Sequence, residues 1–153
     1  MALIRIQIDI AAPPAVCFDL ARSVDAHVDS TRATGERAVA GVTSGLLNLG
    51  DEVTFRAKHF GVTQDLTSRI TAFDRPAHFR DEMVRGAFRR LVHDHYFEPL
   101  PSGTRMIDVF DFTAPLGWLG RAAEALFLTS YLRRFLETRA RILKDLAEAK
   151  VRG

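Results

Sequence analysis

The chain has 153 residues, 47% hydrophobic and 26% charged, with 21 Lys and Arg against 19 Asp and Glu for a net charge of +2. That length predicts one domain, residues 1–153, with room for a proper core. The composition is that of an ordinary soluble globule, and the near-even charge balance argues against a nucleic-acid surface.

The single cysteine, Cys17, excludes an intrachain disulfide and a multi-thiolate metal site. Ile4, Ile6, Ile8 and Ile10 alternate with Arg5, Gln7 and Asp9, which predicts a half-buried strand. This opening lacks the apolar run of a signal peptide, so a cytoplasmic location is expected. Pro13 and Pro14 break the strand, and Pro14 suits the first turn of a helix carrying Val16, Cys17, Leu20 and Ala21. Ser23 or Asp25 can cap a second short helix to about Ser30. Glu36 to Val42 reads as a strand. Gly41, Gly45 and Gly50 then punctuate a loop carrying Leu46, Leu47 and Leu49, which either fold inward as a plug or close over an apolar site.

Longer alternating strands follow. Val53, Phe55, Ala57 and His59 share one face, and Gly61 leads to Val62, Gln64, Leu66, Ser68, Ile70 and Ala72. After Asp74-Arg75-Pro76 come Phe79, Asp81 and Met83, and after Gly86 come Leu91, His93, His95 and Phe97. Leu100-Pro101-Ser102-Gly103 connects to Thr104, Met106, Asp108, Phe110 and Phe112.

Residues 115–151 then read as one long helix, entered through Pro115 and Gly117. Leu119, Ala123, Leu126, Leu128, Leu132, Phe135, Arg139, Ile142, Leu146 and Ala149 form its stripe, with a change of phase near Leu126–Leu128. Arg121 and Glu124 interrupt any segment long enough to span a membrane.

Runs of hairpin-linked strands with helices at the ends indicate an α+β fold. A strongly curved antiparallel sheet wrapped around the long C-terminal helix, with two short helices after the first strand, does not close completely, and the gap is a natural cavity. The inward face is unusually polar, because it also carries His59, Gln64, Ser68, Asp81, His93, His95 and Asp108. Unpaired, each would cost about 1–3 kcal/mol. If the last hairpin pairs Phe97 with Met106, then His95 faces Asp108 and His93 faces Phe110. These groups form a self-satisfied network, orient a ligand, or move protons. His93 and His95 point the same way, as metal ligands can, but no third ligand stands at a recognisable spacing, so neither a metal nor a cofactor is expected. No phosphate-binding glycine loop or nucleophile elbow is present.

The chain resembles the SRPBCC superfamily (START-like, birch-pollen-allergen-like), and within it bacterial ligand-binding and polyketide cyclase/dehydrase-like proteins. The resemblance rests on the Pro13-Pro14 helix start, Leu49-Gly50-Asp51-Glu52-Val53-Thr54-Phe55, His59-Phe60-Gly61 and Thr67-Ser68-Arg69-Ile70. Asp74-Arg75-Pro76, Phe79-Arg80-Asp81, Gly86-Ala87-Phe88, the run from Leu91 to Phe97, Gly103-Thr104-Arg105-Met106 and Pro115-Leu116-Gly117 complete it. It implies the helix-grip fold and a deep apolar cavity between sheet and C-terminal helix, in which members carry lipids, sterols, quinones, hormones or polyketides and some catalyse cyclisation or dehydration. Leu91 stands where similar proteins often place an aromatic, and Met83 where Gln is common. Both make the wall less polar.

The leading expectation is a protein that binds a small hydrophobic molecule of lipid, polyketide or aromatic type. Phe55, Leu66, Ile70, Phe79, Met83, Leu91, Phe97, Met106, Phe110 and Phe112 would wall the cavity. Leu119, Leu126, Leu128 and Phe135 would cover it. His59, Gln64, His93, His95 and Asp108 would orient the ligand's polar end. A second expectation is a cyclase or dehydratase in which His95–Asp108, or His93, moves a proton. A third is an interaction module docking through Leu116–Leu132. The expected partner is a small molecule, with no nucleic acid and no transmembrane segment, on a monomer or homodimer.

Overall fold

The computed structural model describes residues 2–59, 61–114, 122 and 127–153. Among them, seven strands form one antiparallel sheet: β1 Ala2–Ile10, β2 Arg37–Gly41, β3 Glu52–His59, β4 Val62–Asp74, β5 His78–Arg85, β6 Arg90–Leu100 and β7 Gly103–Thr113, in the order β1-β7-β6-β5-β4-β3-β2. Consecutive strands from β2 onward are neighbours because each is joined to the next by a turn or short loop. β1 closes the other edge against β7, pairing Ile4 with Phe110 and Ile8 with Met106. The sheet curves, with register shifts in β2/β3 between Ala38 and Ala40 and in β4/β5 near Thr67/Ser68 and Ile70/Ala72. Such shifts bend a strand and raise its twist.

Two short helices cross the concave side. α1, Pro14–Ala21, begins with Pro14 in its first turn, where the missing N–H leaves no bond unmade. α2, Val24–Ser30, is capped by Ser23, whose hydroxyl accepts from the Ala26 N–H at 3.1 Å. Phe18 of α1 is fully buried and packs edge-on against Phe73, Phe79 and Phe97. α1 packs over β6 and β7, and Phe18 reaches across to Phe73 near the end of β4 and Phe79 near the start of β5.

α3, Thr129–Arg152, lies along the concave face. The expected helix over 115–151 is seen from Thr129 onward, with a π-type turn at Phe127–Leu128 where the apolar stripe changes phase. Residues 115–121 and 123–126 lie outside the described residues, and with them Leu119, Leu126 and most of the Leu116–Leu132 docking segment. The stripe is rotated from its sequence reading: the buried line is Leu132, Leu136, Arg139, Ala140, Leu143 and Ala147. Phe135, Ile142 and Leu146 lie half-buried at its margin. The small Ala140 and Ala147 let the backbone approach the sheet, which turns that line inward.

The leucine loop divides. Leu47 folds into the core, while Leu46 and Leu49 remain exposed. Arg22 fixes this geometry by donating to the Leu47 carbonyl and to Asn48 Oδ1. No helix among the described residues is long and apolar enough to cross a membrane.

Candidate functional site

Between α3 and strands β3 to β7 lies a cavity of about 160 Å³. Its walls are largely apolar. Val53, Phe55 and Ala57 come from β3, Leu66 and Ile70 from β4, Phe79 from β5, Leu91 from β6 and Phe110 from β7. Leu132, Phe135 and Leu136 of α3 form the roof, and Leu47 and Phe88 reach in from loops. Alternation on each strand delivers these residues, since every second side chain points at the helix.

One end of the cavity is a buried polar cluster. β5, β6 and β7 are adjacent, and their register sets Asp81 beside His93 and His95 beside Asp108. The last hairpin closes as the alternation predicts, with Phe97 opposite Met106 and His93 opposite Phe110. His93 Nε2 lies 3.1 Å from Asp108 Oδ1, and His95 Nε2 lies 2.7 Å from Asp81 Oδ2. His95 Nδ1 is 2.9 Å from the same Asp108 oxygen. It is off the line of a good N–H···O bond, so this is a charge contact more than a hydrogen bond. The expected His95–Asp108 pair is therefore shared: His95 bonds to Asp81, and Asp108 bonds to His93.

The two imidazoles lie 3.8 Å apart between centroids, with Phe79 stacked on His95 at 4.1 Å. Burial alone would strip a proton from His95, but Asp108 and Asp81 outweigh it and raise its pKa above the ordinary imidazole value. Burial and the neighbouring His95 charge lower His93, and its bond to Asp108 does not reverse this. The surroundings thus bias the two rings in opposite directions, His95 toward the imidazolium and His93 toward the neutral ring, and each presents Nε2 to a carboxylate, His95 to Asp81 and His93 to Asp108. Burial pushes both carboxyls up, yet the histidine bonds and charges win and hold Asp81 and Asp108 below the usual carboxylate range.

Polar groups stand around the rest of the wall as well. Glu36, which falls just before β2, accepts from His27 at 2.8 Å, and that imidazole stacks on Phe55 at 4.0 Å. Despite burial, His27 keeps the Glu36 carboxyl below its ordinary value. His59 at the end of β3 meets the Tyr131 hydroxyl of α3 at 2.6 Å. Arg139 of α3 also faces the cavity.

Of the site residues predicted from sequence, Phe55, His59, Gln64, Leu66, Ile70, Phe79, Leu91, His93, His95, Phe110 and Phe135 line the cavity. Asp108 stands behind the histidines, 2% exposed. Phe97, packed on Phe18 of α1, and Met106 and Phe112 are buried in the core outside the cavity wall. Met83 and Leu128 pack half-buried against the core. Asp81, Glu36, His27, Leu47 and Arg139 line the cavity without having been named as ligand groups. Arg139 was legible only as a charge breaking an apolar stripe, and Asp81 as one of several inward polar residues.

Asp81 also supplies the third ligand type missing from the sequence reading, because Asp81, His93 and His95 bring ligand atoms within 4.8 Å of one another. Bonds to Asp81 and Asp108 already engage the Nε2 atom of each imidazole.

Residues 1–148 match the family model described as polyketide cyclase/dehydrase and lipid transport. The chain belongs to that family. Its fold is the helix-grip fold of the SRPBCC superfamily, and solved structures agree. TTHA0849 from Thermus thermophilus is similar with a TM-score of 0.80 at 17% identity, over 97% of this chain and 99% of that one. CV1439 from Chromobacterium violaceum gives 0.75 at 13% identity, over 97% and 99%. The ginseng major latex-like protein 151 from Panax ginseng gives 0.71 at 18%, over 95% and 97%. At these identities the likeness is one of fold. No curated protein matches the chain significantly. For this member of the polyketide cyclase/dehydrase and lipid transport family, the cavity and the His–Asp cluster therefore carry the functional argument.

Proposed function

We propose that this chain binds one small hydrophobic molecule in the cavity between α3 and the sheet, with the ligand's polar end turned toward Asp81, His93 and His95. The carrying observation is an apolar space of about 160 Å³ that ends in a buried, hydrogen-bonded His–Asp cluster. Pockets of this composition, mostly apolar with a few convergent polar groups, are the usual form of small-molecule sites. Native mass spectrometry of gently purified protein, followed by identification of any extracted molecule, tests the reading. A stoichiometric lipophile that raises the melting temperature of the wild type, and fails to raise that of Leu66→Trp, is expected. An empty protein indifferent to lipids and aromatic compounds in thermal-shift assays would overturn it.

Two imidazoles 3.8 Å apart whose surroundings shift their pKa values in opposite directions favour a second reading, dehydration of a β-hydroxy carbonyl compound. His93 Nδ1 would take the proton α to the carbonyl, and the His95 imidazolium would give its proton to the departing β-hydroxyl. The carbon–oxygen bond breaks, a carbon–carbon double bond forms and water leaves. As product leaves, His93 Nδ1 releases its proton to entering water and His95 takes one up, which restores both rings. His95→Ala would then abolish turnover of β-hydroxy aryl ketones while leaving their binding in place. Parallel loss of binding and turnover would leave His95 only an orienting role.

A further inference from the structure

Two arginines are buried among the described residues, and their surroundings differ. Arg22, 8% exposed, donates to Asp19, to the Leu47 carbonyl and to Asn48, and its guanidinium lies over the Phe18 and Phe73 rings. Arg139, 5% exposed, sits on the buried line of α3 among Leu136, Ala140 and Leu143. Its Nη2 makes one long contact, 3.4 Å, to the Ala21 carbonyl, and its buried Nε has no partner among the described residues. It forms no ion pair among them either. A buried cation without an anion is strongly destabilising, and guanidinium cannot shed its charge to escape. The side chain lines the cavity, so the missing partner can come from there.

We propose that Arg139 is an anion anchor and that the ligand is a small hydrophobic acid whose carboxylate it holds. This rests on the binding reading above and names the ligand's class. A planar carboxylate fits the guanidinium fork with two parallel bonds, which a hydroxyl or amide cannot match. Repulsion from the cavity's own acids is limited, since Asp81 and Asp108 are each bonded to a histidine and Glu36 to His27. Arg139 and Asp81 line the same cavity, and the guanidinium charge helps to keep the Asp81 carboxyl low. Size narrows the class further: about 160 Å³ is close to the cavity of about 150 Å³ that holds benzene. The acid is therefore built on one ring or a short branched chain, with Phe55, Phe79, Leu91 and Phe110 around it.

Calorimetric titration of the intact chain with phenylacetate, 2-phenylethanol and phenylacetamide separates the outcomes. The wild type is expected to bind phenylacetate about ten- to a hundredfold more tightly than either neutral analogue, the worth of charge-assisted hydrogen bonds. Arg139→Leu, which suits a buried apolar line, should erase that preference, and Arg139→Lys should retain part of it. Equal binding of acid and alcohol to the wild type overturns the anchor and leaves the cavity reading intact, as does a preference that survives in Arg139→Leu. Failure of all three probes, while extracted lipophiles still bind, rejects the small-acid class alone. Failure of every probe rejects the cavity reading and the anchor with it.

Discussion

Asp108 holds one end of the buried cluster through a single oxygen, which lies 3.1 Å from His93 Nε2 and 2.9 Å from His95 Nδ1. Linkage gives the pH dependence that follows. Asp108 and Asp81 titrate below ordinary carboxylates, so their stabilisation is complete above about pH 4 and is lost as pH falls through their folded values. His95 titrates above ordinary imidazole, so its contribution is complete below about pH 6.5 and fades as pH rises through its raised value. His93 is depressed and works the other way, losing stability as pH falls below about 6.5. The two histidines oppose each other near neutrality, and the carboxylates govern the acid side. Melting temperature should therefore fall as pH drops below about 4, and Asp108→Asn should flatten that fall. At neutral pH the same variant should lose about 1–3 kcal/mol, the cost of leaving buried donors poorly paired. An acid limb parallel to the wild type's would show that Asp108 is not the controlling group.

At the scale of elements, α3 is where sequence pattern and structure part company, and a pair of substitutions measures the difference. Leu143 is 3% exposed and on the buried line, whereas Ile142 is half-buried at its margin. Leu143→Ala should cost about 2–5 kcal/mol in urea unfolding, and Ile142→Ala distinctly less. The reverse order would restore the stripe read from sequence. That stripe erred by about one residue at Phe135, Ile142 and Leu146 because a wide apolar face has no sharp centre, while its placing of Arg139 on the inward line holds. The strands were more legible. Alternation through Leu91, His93, His95 and Phe97, with a four-residue hairpin connection, was enough to place His95 opposite Asp108. Asp81 as the hydrogen-bond partner of His95 was not legible, because that requires β5 to be in register with β6 after two shifts against β4. Nor was the fate of the leucine loop, since Leu46, Leu47 and Leu49 look alike in sequence and only Arg22, bonded to the Leu47 carbonyl, distinguishes them.

At the scale of the whole molecule, α3 is fastened differently along its two sides. Toward β1, Arg133 donates to the Arg5 carbonyl, Lys144 to the Asp9 carbonyl, and Glu148 accepts from the Ala11 N–H. These bonds run the length of the helix and fix it to an edge strand away from the cavity. Toward β3, the contact is between rings: His59 Nδ1 with the Tyr131 hydroxyl at 2.6 Å, and the His59 ring against Phe135 at 5.8 Å. Among the described residues, opening the cavity on the β1 side would break several of these bonds at once, whereas the β3 side is joined through His59. Tyr131→Phe removes the hydroxyl and keeps the ring. It should cost about 1 kcal/mol or less in stability, the net worth of one partly exposed hydrogen bond. If ligand exits past His59, dissociation of bound phenylacetate, followed by NMR exchange, should quicken by up to about tenfold while the melting temperature barely moves. An unchanged dissociation rate would place the exit elsewhere, beside Leu47, and Leu47→Ala would then be the variant that releases the ligand faster.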